Sequence, residues 1–95
     1  MKVLASPEAR AYIRERGGLL FVWVVRGGAL RGALRLLRVS TEPPPDALDW
    51  QRVETKGFLV FLPPGLPTPH ELHVEVRGVL RRRVAAFWNG CAFVT

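Results

Sequence analysis

Hydrophobic residues first recur along the chain with the period of a helix. Ser6 can accept a hydrogen bond from the free amides of a first turn, Pro7 suits a position that needs no N–H, and Glu8 complements the helix dipole. An apolar stripe at helical spacing follows: Ala9, Tyr12 and Ile13. The pattern predicts that the first element of the chain is a helix from Pro7 to Arg16, which Gly17-Gly18 ends.

Later hydrophobic runs have the composition and period of strands. Leu19 to Val25 is β-branched, aromatic and apolar on both alternating faces, which predicts a strand buried on two sides. Phe58 to Leu62 predicts a second buried strand. Trp50 to Glu54 predicts a short strand, which a connection containing Pro43-Pro44-Pro45 precedes. Apolar and polar residues alternate from Leu72 to Arg77, which indicates a half-buried strand with one wet face.

The end of the chain carries a hairpin signal. Asn89-Gly90 is a favoured two-residue turn, and apolar runs flank it on both sides. The sequence therefore predicts two antiparallel strands, at Val84 to Trp88 and at Cys91 to Val94.

The stretch from Ala29 to Val39 fits either a helix or a strand. Apolar residues recur there at helical spacing, with arginines on the other side. Gly27, Gly28 and Gly32 would fall in the first turns of such a helix, and each costs about 1 kcal/mol relative to alanine in a helix interior. We therefore favour a strand from Ala33 to Val39.

Together these elements predict an α+β fold, a mainly antiparallel β domain with one N-terminal helix. The chain has 95 residues, of which 48% are hydrophobic and 23% charged, so we interpret residues 1–95 as a single domain. Its core is expected to draw on four side chains of the two most apolar strands: Phe21, Trp23, Val60 and Phe61.

The cysteine content and the length of the apolar runs indicate the cellular compartment of the protein. Cys91 is the only cysteine, which excludes an internal disulfide and a four-cysteine zinc site within one chain. The longest apolar run has seven residues, too few to span a membrane, and no export signal is visible. These features predict a cytoplasmic protein that does not associate with membranes.

The net charge is strongly positive and comes almost wholly from arginine. The chain has fourteen Lys and Arg and eight Asp and Glu, which gives a formal net charge of +6 at pH 7. Twelve of the fourteen basic residues are Arg. Such a balance can indicate a polyanionic partner such as nucleic acid, but we favour the interpretation that it reflects composition and a solvated surface. Two sets of arginines are candidate polyanion contacts, and binding there is expected to be weak and non-specific: Arg31, Arg35, Arg38, Arg81, Arg82 and Arg83.

One group of titratable residues has the types that metals prefer. Glu71, His73 and Glu75 share one face of the predicted strand, while His70 lies off it. Side chains two residues apart on a strand converge on a metal only when another element supplies a ligand. We therefore interpret this group as the solvated face of an edge strand and keep its three same-face members as weak metal candidates.

No catalytic residues are predicted. Two histidines, one cysteine and the absence of a G-x-S-x-G motif leave no basis for a nucleophile with its base. The glycine-rich stretch from Gly27 to Gly32 has no following Lys-Ser/Thr and does not match G-x-G-x-x-G, so it is not a phosphate loop. The sequence indicates a protein that is not an enzyme.

The order of these features resembles the HesB/IscA family of A-type iron–sulfur cluster carriers. The resemblance lies in the capped helix from Ser6 to Ile13, the strand that ends at Gly27-Gly28, the strand from Gly57 to Leu62 before Pro63, and the stretch from Glu71 to Asn89. A short branch with a paired cysteine/selenocysteine motif is the most similar. The resemblance implies two packed sheets over nearly the whole chain.

The ligand positions of that family differ in this chain. The resemblance implies one cysteine just after the glycine pair, where this chain has Ala29, and two more in a C-terminal Cys-Gly-Cys, where it has Asn89-Gly90-Cys91. Cys91 alone could correspond to a ligand. Iron–sulfur clusters are held by several thiolates, so the resemblance implies the fold without the activity.

Three functional hypotheses follow. The preferred one is a non-catalytic HesB/IscA-like domain that serves as a structural or protein-interaction module, with no cofactor and a protein partner not yet identified. The second is an iron–sulfur cluster or iron carrier that shares Cys91 across a homodimer. The third is a weak binder of polyanions or nucleic acid.

Overall fold

The computed structural model describes residues 2–27, 34–65, 70–78 and 82–88. Within these ranges the chain forms one α-helix and seven strands, in the order β1 (Lys2–Ala5), α1 (Pro7–Glu15), β2 (Leu19–Gly27), β3 (Leu34–Ser40), β4 (Gln51–Thr55), β5 (Phe58–Leu62), β6 (Glu71–Arg77) and β7 (Arg83–Trp88). A single 3-10 turn, Ala47–Asp49, precedes β4. The predicted strand from Cys91 to Val94 lies outside the described residues.

The helix forms as its capping signals predict. Ser6 Oγ accepts a hydrogen bond from the Ala9 N–H at 3.1 Å, and Pro7 occupies the first turn. At the other end, Gly18 has a φ of 78° and donates its N–H to the Ile13 carbonyl at 2.9 Å. The prediction that this helix is the first element was wrong, because β1 precedes it.

A three-stranded sheet has the strand order β1-β6-β7. β1 pairs with β6 in parallel, and β6 pairs with β7 antiparallel. β6 is therefore a central strand, which corrects the expectation that Glu71, His73 and Glu75 lie on an edge strand. The sequence missed β1 because four residues with one lysine are too short to show a strand period.

A four-stranded sheet has the order β3-β2-β5-β4. β2 pairs antiparallel with β3 and parallel with β5, while β4 and β5 form an antiparallel hairpin. Residues 34–40 form a strand, so the choice of strand over helix is confirmed there, and residues 28–33 lie outside the described ranges. The predicted α+β class with two packed sheets and one helix is confirmed, with two parallel pairings added to the antiparallel ones.

The core lies between the inner faces of the two sheets and under α1. Leu20, Val22 and Val60 of the larger sheet are completely buried, as are Leu72 and Val74 of the smaller one. The helix closes this core with two fully buried side chains, Ala9 and Ile13. Of the predicted core residues, Val60 belongs to this cluster.

The predicted aromatic core residues pack on the opposite face of the larger sheet. Phe21 stacks on Phe61 with ring centroids 4.9 Å apart, and Trp50 meets Phe21 edge-on at 6.2 Å. The ring centroids of Trp23 and Trp50 are 6.0 Å apart. This second cluster buries Phe21 and leaves its three partners half-buried. The prediction that β2 is buried on both faces therefore holds near its start, at Leu20, Phe21 and Val22, while Trp23 at its centre is half-buried.

Candidate functional site

Strands β3 and β7 lie side by side, and a cleft of about 550 Å³ opens along them. Each is the edge strand of its sheet among the strands described. The cleft is lined by five consecutive residues of each segment, 37–41 and 83–87, together with Tyr12 and Arg77. Consecutive residues of both strands line the cleft, so it runs along β3 and β7.

Three arginines give the cleft its charge. Arg38 comes from β3, Arg83 from the start of β7 and Arg77 from the end of β6, opposite Arg83 in the strand register. Among the described lining residues there is no carboxylate. Arg77 is partly neutralised, since its guanidinium lies 2.9 Å from Glu75 Oε2 beside the cleft and 5.1 Å from the centre of the Phe87 ring.

The remaining lining combines apolar side chains with three hydroxyl groups. Leu37, Val39 and Val84 are half-buried and pack against the core, so they form an apolar floor. Tyr12 donates its hydroxyl to the Arg82 carbonyl at 3.0 Å, and Ser40 Oγ accepts from the Glu42 N–H at 3.0 Å. The third hydroxyl belongs to Thr41. The site can therefore contact an apolar group and an anionic group at the same time.

The structure brings together only some of the arginines proposed from sequence. Arg38 and Arg83 meet at the cleft although 44 residues separate them. Arg82 instead approaches Glu8, at 3.7 Å. Arg31 and Arg81 lie outside the described residues, as does the side chain of Arg35. Sequence reasoning missed Arg77, which the alternating pattern of β6 places on the wet face.

The candidate metal residues lie on the outer face of β6. Leu4, Phe87 and Ala85 are the cross-strand partners of His73 and Glu75, so the neighbouring strands add no ligand beside them. In the described ranges, no three His, Cys, Asp or Glu side chains are placed to hold a metal ion. The structure thus does not gather Glu71, His73 and Glu75 into a metal site, because alternate residues of one strand lie roughly 7 Å apart. Cys91 lies outside the described residues.

The two sheets with their single helix also occur in a solved structure. The chain is similar to the crystal structure of Escherichia coli SufA, a protein involved in the biosynthesis of iron–sulfur clusters, with a TM-score of 0.57. The two share 21% identity, and the match covers 93% of this chain and 81% of SufA. The likeness confirms the two-sheet fold that the resemblance implied.

The chain belongs to the CC/Se motif containing family, whose model matches residues 1–85, and this confirms the predicted relation to proteins with a paired cysteine/selenocysteine motif. No curated protein matches the chain significantly. The matched residues include no cysteine, and the chain has no adjacent pair of cysteines anywhere. None of the α-helices described is long and apolar enough to cross a membrane.

Proposed function

We propose that this protein is a non-catalytic HesB/IscA-like module, a single domain over residues 1–95, that binds another protein and does not carry iron–sulfur clusters. The observation that carries the proposal is the combination of a carrier fold with a family match over residues 1–85 that holds no cysteine. A fold accommodates many functions, so the residues of the site decide between carriage and binding.

The available ligand set argues against carriage. Iron–sulfur clusters are held by thiolates, commonly four per cluster. One chain offers one thiol, Cys91, and a homodimer offers two. Histidine can replace cysteine on one iron of some clusters. Here, however, His70 and His73 are exposed or half-buried, and no third ligand type within the described ranges joins them.

The absence of a catalytic set in the sequence supports the non-catalytic part of the proposal. A cytoplasmic location is also part of it, since a single unpaired cysteine suits a reducing compartment. Binding of a protein partner would explain why the fold is kept without the cluster ligands, because the surface of a fold can bind another protein even when no cluster is bound.

Anaerobic reconstitution with iron and sulfide tests this proposal. We expect the purified full-length protein to retain no sulfide and no visible charge-transfer absorption after desalting, while a ferredoxin treated in parallel regains both. Stoichiometric iron and sulfide that are lost in Cys91→Ser would reject the proposal. They would establish the alternative, a carrier that shares Cys91 between two copies.

The arginine-lined cleft favours a second candidate function, weak binding of polyanions. Arg38, Arg77 and Arg83 can contact phosphates, and such binding releases counterions and weakens steeply with salt. We expect retention on a heparin column at low salt and release below physiological ionic strength. Tight, sequence-selective binding of DNA or RNA at physiological salt would make nucleic-acid recognition the main function.

A further inference from the structure

We propose that the outer face of the three-stranded sheet binds the same face of a second copy of this chain, about a two-fold axis. The outer face is the side of β1, β6 and β7 that points away from the core. The inference goes beyond the proposed function, because it concerns the association of the protein with itself. It rests on a pattern of charge and side-chain size that the strand register defines.

The outer face is accessible in the part of the chain that the structure describes. On β6, Glu75 and Arg77 are exposed, and His73 is half-buried although it points away from the core. The helix α1 packs on the opposite side of this sheet, where its buried residues join the core. Pairing at a strand edge, as predicted for Cys91 to Val94, widens a sheet sideways and leaves its faces open.

The outward residues of β6 change in charge from one end of the strand to the other. Glu71, His73 and Glu75 come first, and Arg77 is last. A two-fold axis that crosses β6 at Val74, perpendicular to the strand and parallel to the sheet, sets two copies face to face with their strands antiparallel. Glu71 then faces Arg77 of the copy, and His73 faces Glu75 of the copy. Because an imidazole N–H donates to a carboxylate, each of these contacts is attractive.

The same axis gives the neighbouring strand a match of size. Val74 is paired with Ala86 in the strand register, so the axis crosses β7 there and places Phe87 against Ala85 of the copy. Ala85 is the cross-strand partner of Glu75 and adjoins a depression of about 330 Å³. The depression is bordered by His73, Glu75, Arg77 and Phe87. The ring of Phe87 can fill this depression in the copy, and aromatic side chains are common anchors of interfaces.

Contacts within the chain leave Arg77 able to bind a second carboxylate. Its guanidinium lies 2.9 Å from Glu75 Oε2, but the two side chains are 56% and 49% exposed. An exposed ion pair of this kind contributes little, and a guanidinium has several further N–H donors. Arg77 also lies 5.1 Å from the centre of the Phe87 ring, which keeps it beside the expected contact.

The size of the face predicts a weak dimer. Three strands spaced about 4.8 Å apart, of which β6 has seven residues, cover about 14 by 23 Å, or roughly 330 Å² per copy. A standard interface buries about 800 Å² per partner. Lys2 beside Glu71 and Arg83 beside Arg77 add positive charge at the margins, and the net charge of +6 on each copy opposes association. We therefore expect a reversible dimer that forms at high protein concentration.

Sedimentation velocity of the full-length protein from micromolar to millimolar concentration tests the inference. With a reductant present, we expect a monomer–dimer equilibrium. The same equilibrium should appear in Cys91→Ser, because the described face holds no cysteine. Phe87→Ala should weaken the dimer about tenfold or more, since each copy loses the ring that would fill the depression of the other.

Charge reversal tests the pairing across the axis. Arg77→Glu sets two carboxylates against each other, and Glu71→Arg sets two cations against each other, so each variant should weaken the dimer about tenfold or more. An equal mixture of the two variants should associate more tightly than either alone, because every facing pair is then of opposite charge. The double variant Glu71→Arg/Arg77→Glu, which keeps the net charge, should also associate more tightly than either single variant.

Arg52→Glu is the matched control for Arg77→Glu. It makes the same change of charge on β4, in the other sheet, and should change association less than about twofold. Circular dichroism verifies that each variant is folded.

Four results would overturn the inference. They are a protein that stays monomeric at millimolar concentration, a dimer that Arg52→Glu weakens as much as Arg77→Glu does, a mixture of the two charge variants that associates no better than its components, or a dimer that is lost in Cys91→Ser. None of these alters the proposed function, which instead fails if the reconstituted protein retains iron and sulfide.

Discussion

In the part of the chain that the structure describes, α1 covers one side of the core and a cleft borders another. Under α1, Ala9 and Ile13 are completely buried, and the helix contacts both sheets. Along β3 and β7, apolar residues such as Val39 and Val84 are only half-buried and border a cleft with arginines at its mouth. Within the described residues, the same core thus has one side covered by the helix and one side that borders the cleft.

The two sides of the core are expected to serve different purposes, stability under α1 and binding at the cleft. Burial of apolar area stabilises a fold by about 25 cal/mol per Å², so the helix side should contribute most of the free energy of unfolding. Binding surfaces are drawn from the less stable parts of a structure, where edges and partly covered side chains remain available. Substitutions should therefore be costly under α1 and tolerated around the cleft.

The largest effect is expected at Ile13. Ile13→Ala removes a completely buried side chain between the helix and both sheets, which should lower the free energy of unfolding by about 2–5 kcal/mol. Urea unfolding followed by circular dichroism measures it. Leu48→Ala is the matched control, because that leucine is 101% exposed, and it should leave the unfolding midpoint unchanged. Equal losses in the two variants would refute the helix side as the main source of stability.

A smaller loss is expected where the helix turns into the larger sheet. Gly18 has a φ of 78°, and its carbonyl accepts the Leu59 N–H at 2.9 Å. No atom would crowd an added Cβ there, so Gly18→Ala should cost about 1–2 kcal/mol through backbone strain alone. Gly18→Asn should cost less, since asparagine tolerates left-handed backbone, and a thermal melt that ranks the two variants in the reverse order would contradict this explanation.

The helix cap should contribute about 1 kcal/mol. Ser6→Ala removes the oxygen that accepts the Ala9 N–H, so that an amide of the first turn loses its partner. Ser6→Asp keeps an acceptor at the same position and should retain most of the stability. Urea midpoints of both variants test the cap, and a Ser6→Asp protein as unstable as Ser6→Ala would show that the hydroxyl serves another purpose.

The smallest effect is expected on the cleft side. Arg38→Ala/Arg83→Ala truncates two exposed side chains at the cleft and should change the free energy of unfolding by less than about 0.5 kcal/mol. Thermal unfolding of this double variant beside wild type is the measurement. A loss comparable to that of Ser6→Ala would mean that the arginines hold the two sheets together, and the cleft would then be a structural joint.

Local signals in the sequence predicted most elements but not the way they pair. The cap at Ser6 and the glycine stop located α1, and the alternating pattern located β6. The pattern could not show that Lys2–Ala5 is a strand, because its order depends on parallel pairing with β6 across more than 60 residues. Missing β1 placed β6 at the wrong position in its sheet.

The candidate site depended even more on tertiary structure. Their charge alone made Arg38 and Arg83 candidates for anion binding. No local sequence signal indicated that β3 and β7 would bring them to one cleft. The charge run suggested Arg82 together with Arg83, yet Arg82 precedes the first residue of β7, and its guanidinium lies 3.7 Å from Glu8. The aromatic residues were assigned to the core by their hydrophobicity, whereas period 2 places Phe21 and Phe61 on the face opposite Val22 and Val60.

Native mass spectrometry of the reconstituted protein tests the central proposal, a SufA-like fold that holds no iron–sulfur cluster, most directly. After anaerobic incubation with iron and sulfide, we predict signals at the mass of the bare polypeptide or its bare dimer, identical for wild type and Cys91→Ser. A dimer that carries the mass of an iron–sulfur cluster in wild type, and loses it in Cys91→Ser, would contradict the account.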